Sequence, residues 1–211
     1  MQQSSGSAIV NAVHYIHEVC EEVAAVAKVL QERFREQPLP GDYVSDQFNS
    51  WPTQFPATNF FEAGGCWINI YVKRPRRGYH GCAAYLFDLG GRNTFATLQN
   101  EALILVGWTG KNSDDDVYDV EHLESVLSRN VPFGSRLLCW IEENQKPATA
   151  PADQAWCYAV PLLSIKSEDD VERLLIKPLI TMAVAPQLTE ALVERAFENA
   201  TEVMKNKITA Q

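Results

Sequence analysis

Residues 66–89 read CWINIYVKRPRRGYHGCAAYLFDL. Cys66, Ile68, Ile70 and Val72 alternate with Trp67, Asn69, Tyr71 and Lys73. That period of two gives a β-strand one apolar face and one mixed face. RPRRGYHG, with Gly78 and Gly81 to permit tight geometry, then leads into the apolar run CAAYLFDL. So short a connection joins antiparallel neighbours, because a parallel return needs a dozen or more residues. The stretch therefore predicts a β-hairpin and, together with the next apolar runs of the chain, an antiparallel meander. GGRNTF (90–95) precedes a third strand, ALILVGW (102–108), and RLLCWIEE (136–143) and AWCYAVPL (155–162) supply a fourth and a fifth. A polar, acidic loop from Gly110 to Asp119 and a short helix over 120–129, with Asp119 as N-cap, separate the third strand from the fourth.

Helices bracket this sheet. Over Ser7 to Glu36, apolar residues stand at Ile9, Val13, Ile16, Cys20, Val23, Ala27, Leu30 and Phe34. The steps alternate four and three, the seam of a helix that packs lengthwise. Pro38, Pro40 and Gly41 stop it. At 1.5 Å per residue it spans on the order of 45 Å, so its seam is expected on the sheet, on a C-terminal helix or on a second copy. At the other end, SEDDVERLLIK begins a helix with Ser167 as cap and Asp170 three residues on. Pro178 is expected to end or kink it. A last helix is predicted over 187–208, burying Leu188, Leu192, Phe197, Ala200, Met204 and Ile208. The strands run together rather than alternating with helices, which predicts an α+β fold. Its mainly antiparallel five-stranded sheet is packed by the long N-terminal helix and the C-terminal helices, in a single domain over 1–211.

Between the first helix and the hairpin lies a segment of about 24 residues (42–65), longer than ordinary connections in compact domains. It holds Phe48, Trp51, Phe55, Phe60 and Phe61. The reading is an irregular aromatic loop laid across the sheet. Trp51 and Phe55, each beside a proline, are its expected exposed anchors.

Composition bounds the function. The chain has 211 residues and a net charge of −9, which argues against broad binding to nucleic acid or an anionic membrane. No apolar run approaches the ~18 residues of a membrane span, and no signal peptide is expected. The five cysteines (20, 66, 82, 139 and 157) lie in apolar patterns without a CxxC, which predicts a reducing, cytoplasmic setting.

Candidate chemistry is sparse. His14, His17, Glu18 and Glu21 share one helical face, but that face lies opposite the seam, where i,i+4 pairs on a wet surface are the simpler reading. Lys73, Arg74, Arg76 and Arg77, with Tyr79 and His80, make a basic hairpin able to clamp a small anionic ligand or an acidic partner. The acidic run Asp114, Asp115, Asp116 and Asp119 lacks the calcium-loop spacing. A restriction-type nuclease needs Asp, then Glu-x-Lys, and Leu103 stands where the lysine belongs after Asp88 and Glu101.

The resulting expectation is a non-catalytic, acidic protein-interaction module without cofactor or metal. It is read as an immunity-type inhibitor or chaperone-like binder of a basic partner, or as a homodimer. Its expected binding residues are Trp51, Phe55, Arg74, Arg76, Arg77, Tyr79 and His80. The alternatives are a diverged nuclease-like or metal-dependent enzyme, and a small-molecule sensor.

Overall fold

The computed structural model describes residues 5–39, 43–51, 65–74, 78–88, 102–110, 130–133, 136–140 and 155–203. The hairpin forms as read, with β2 (Gly65–Arg74) antiparallel to β3 (Gly78–Asp88). Around it stand β1 (Val44–Trp51), β4 (Leu103–Gly110), β5 (Asn130–Phe133), β6 (Leu137–Trp140) and β7 (Trp156–Pro161). All pairings are antiparallel, and the order across the sheet is β1-β2-β3-β4-β7-β6-β5. The fold is α+β, with seven strands among the described residues where the sequence predicts five.

The two additional strands are the two edges. β1 occupies the first part of the segment read as an irregular loop, and residues 52–64 lie outside the described residues. Its partner register shifts between Ser45 and Phe48, a bulge of the kind that blunts a sheet edge. β5 contains Pro132, which has no N–H for a second ladder and so suits an edge. The helix expected over 120–129 lies outside the described residues.

The long helix α1 runs Ser5–Glu36, with Arg33 and Arg35 in its last turn, where cations complement the carbonyl end. The C-terminal region begins with a 3-10 turn (Leu162–Ser164). Then Glu168–Asp170, Val171–Ile176 and Lys177–Ala183 run on as one helix, α2 (residues 168–183). Ser167 caps it as expected, its Oγ accepting from the Asp170 N–H at 3.2 Å. A short helix, α3 (Glu190–Ala196), comes next, capped by Thr189.

Pro178 neither ends nor breaks α2. It has no N–H for the Leu174 carbonyl, and its ring crowds that carbonyl. The preceding turn widens into a π-helix over Val171–Ile176, in which the Lys177 N–H reaches Glu172 O. Two sheet tyrosines fill the gap. The Tyr158 hydroxyl donates to Leu174 O and Leu175 O at 3.1 and 3.2 Å, and the Tyr85 hydroxyl donates to Leu175 O at 3.3 Å. Burial pushes both phenols well above the usual tyrosine value.

The last helix is shorter than expected. After Ala196 the chain continues in three-residue turns, with Ala200 N bonding Phe197 O and Val203 N bonding Ala200 O, each at 3.1 Å. Phe197, Ala200 and Val203 are accordingly the buried positions. The buried Arg136 guanidinium donates to the carbonyls of Ala200 and Val203 and lies 5.8 Å from the Phe197 ring centre. It supplies the donors that a continuing helix would have provided. Residues 204–208 lie outside the described residues.

One face of the sheet carries the main core. Ile68, Ile70, Tyr85, Phe87, Ile104, Val106, Trp108 and Tyr158 pack with α1, α2 and α3. A smaller cluster, Ala84, Leu105, Ala155 and Cys157, marks the opposite face. Trp108 lies across Gly81, where a Cβ would stand 2.2 Å from the ring. That close approach demands glycine.

Candidate functional site

The seam of α1 changes character part-way along. Cys20, Val23, Ala27, Leu30 and Phe34 are at most 1% exposed. They pack in the core that also holds Val171, Leu174 and Leu175 of α2. Each fully buried Val, Leu or Phe side chain contributes roughly 1.5–3 kcal/mol, and an Arg33–Glu168 ion pair ties the same end to the start of α2. Ile9 and Val13 continue the four–three spacing, yet they are 65% and 61% exposed. Val10 at 53% and Tyr15 at 68% stand near them.

The reason is length. A 32-residue helix extends ~48 Å. The longest strand, β3 with 11 residues, extends only ~36 Å. Among the described residues, core contacts form along the inner half of the helix, and Ile9 and Val13 of the outer half lie beyond them. Sequence reasoning did not place Ile9, Val10, Val13 or Tyr15 among the binding residues. The available signal was the length of an unbroken seam.

The opposite face of α1 is wet. His17 Nε2 lies 3.3 Å from Glu21 Oε1, and both side chains are more than half exposed. Among the described residues, no three His, Cys, Asp or Glu side chains gather as metal ligands.

Two of the residues expected to bind, Trp51 and Arg74, stand far apart along the sheet. Trp51 ends β1 opposite Trp67 of β2, whereas Lys73 at the far end of β2 pairs with Val44. The ladder thus places Trp51 and Arg74 at opposite ends of β2, separated by roughly 20 Å at 3.3 Å per residue. Arg74 pairs with Gly78, and Lys73 with Tyr79, so the described part of the basic hairpin is assembled as read. Phe55, Arg76 and Arg77 lie outside the described residues.

His80 is half-buried, and the fold engages it. Its ring lies between Tyr43 and Trp108, at centroid distances of 4.6 and 5.6 Å. Its Nε2 is 3.3 Å from the Ala183 carbonyl at the end of α2. A carbonyl only accepts, so this contact requires the proton on Nε2.

An open cleft of about 450 Å³ lies where α2 turns into α3, lined in part by Thr181, Pro186, Leu192 and Arg195. Of the nuclease pattern, Glu101 lies outside the described residues. Leu103 is buried at the start of β4, opposite Asp88. Cys20, Cys82, Cys139 and Cys157 are buried free thiols, and burial pushes Cys139 up to about 12, far from a reactive thiolate.

No family model, curated protein or solved structure matches this chain. Among the described residues, no helix is long and apolar enough to cross a membrane.

Proposed function

We propose that this protein works by contact rather than by turnover, as a cytoplasmic interaction module of the inhibitor or chaperone kind. The outer half of α1 is its main docking surface. One observation carries this reading: a single uninterrupted seam is fully buried from Cys20 to Phe34 and exposed at Ile9 and Val13. A large apolar stripe on a projecting helix is adhesive in water, and a helix-in-groove or helix-on-helix contact removes it. The buried thiols fit a reducing compartment. The basic hairpin around Arg74 and Tyr79 remains a second place for an anionic ligand or an acidic patch of the partner.

The test is a photoreactive benzophenone side chain at position 13 in the cells that make the protein. The expected result is an adduct with a polypeptide, suppressed when Ile9 and Val10 are replaced by Ser. Absence of any polypeptide adduct at position 13 overturns the reading.

A further inference from the structure

We infer that the outer half of α1 pairs with the same half of a second copy, antiparallel about a two-fold axis. This rests on the interaction reading above and commits it to one occupant.

Charge favours a second copy. All 18 basic and all 27 acidic side chains of the chain lie beyond His17. The exposed part of the seam therefore sits in the longest uncharged stretch of a molecule with net charge −9. A basic partner would find no carboxylate there until Glu18. A second copy meets no like charge, whereas almost any other approach sets two acidic surfaces against each other.

The residue pattern favours it too. Ile9 and Val13 continue the heptad spacing that already packs helix against core from Cys20 to Phe34. In heptad terms they are successive d and a positions, and antiparallel helices set a opposite d. Ile9 of one copy then meets Val13 of the other, and the reverse, as an isologous contact requires. Gly6, one turn before Ile9, has nothing within 4 Å of a built Cβ, leaving room for close approach by a neighbouring helix.

Orientation is set by the bodies. An outer half of about 15 residues is ~22 Å long. Antiparallel pairing places the two acidic domains at opposite ends of that length, while parallel pairing brings them side by side. The contact is one helix wide (~10 Å), well below the ~1,200 Å² of a standard stable interface. The dimer is accordingly weak, with dissociation on the order of micromolar or weaker.

Sedimentation equilibrium on the purified full chain, from about 1 to 500 µM, reads the mass. It is expected to climb from one chain toward two, with Val13→Glu weakening association about tenfold or more at an unchanged melting temperature. Orientation is read by mixing I9C and V13C proteins. Mixed disulfides outpacing either self-disulfide supports the antiparallel pairing, and faster self-pairing overturns it. A mass of one chain at every concentration, or dimers that persist in V13E, overturns the second-copy inference. If the benzophenone at position 13 still captures a different polypeptide, only this inference falls. If it captures nothing, the interaction reading falls with it.

Discussion

The two halves of α1 carry the same four–three apolar rhythm and meet opposite fates. From Cys20 onward every seam residue is in the core, while Ile9 and Val13 face water. Periodicity states that a face exists and says nothing about what covers it. The inner half is covered by α2 and the sheet, and their extent is a property of the whole fold. The exposed seam at Ile9 and Val13 is the part of α1 that the described core does not cover.

The contrast breaks most sharply under truncation of the inner seam. Leu30→Ala empties a fully buried site, and chemical denaturation is expected to report a loss of about 2–5 kcal/mol. A cost under ~1 kcal/mol would mean that the inner half is not the packed half. Next comes the support beneath it. Tyr158→Phe removes the hydroxyl that donates to the Leu174 and Leu175 carbonyls. A loss of about 1–3 kcal/mol is expected, with hydrogen exchange quickening over 20–34 and 171–180 but not over 8–17.

Alkali probes the same two tyrosines. Their folded pKa values lie above the ordinary tyrosine value of 10, so the unfolded chain releases its protons first. The stabilisation is complete below about pH 10 and is lost as pH rises toward the folded values, by roughly 1–2 kcal/mol at pH 10.5. Tyr158→Phe should flatten that decline in a pH series of denaturation curves, and an unchanged slope would show that these phenols do not cause it. The smallest effect belongs to the outer seam. Val13→Ala, at a position 61% exposed, is expected to shift monomer stability by no more than ~0.5 kcal/mol. A larger loss measured at low micromolar concentration would mean that something in the same chain already covers it.

The parts of the fold that were legible share a local cause. Strands β2, β3, β4, β6 and β7 lie where alternation or a short apolar run marks them. Ser167 and Asp170 announce a helix start within four residues. The edges were not legible. β1 reads VSDQFNSW and β5 reads NVPF, and neither has an alternating apolar face, because an edge strand is held from one side only. The path through Pro178 was half legible. A proline announces a fault in the helix ladder, but the hydroxyls that bridge it come from residues 85 and 158, far away in the chain. The candidate site was the least legible, since Trp51 and Arg74 are separated by strand register and the exposed seam residues are identical in kind to the buried ones.

By itself the sequence determined the α+β class, the central strands and their antiparallel hairpin, the acidic balance and the existence of one long apolar seam. All of these arise from side-chain chemistry within a few residues of chain. The tertiary structure alone decided the place of β7 between β4 and β6, the tyrosine bridge to α2, and where along α1 the core ends. Those depend on contacts between distant segments, and no local pattern encodes how far a neighbouring surface reaches.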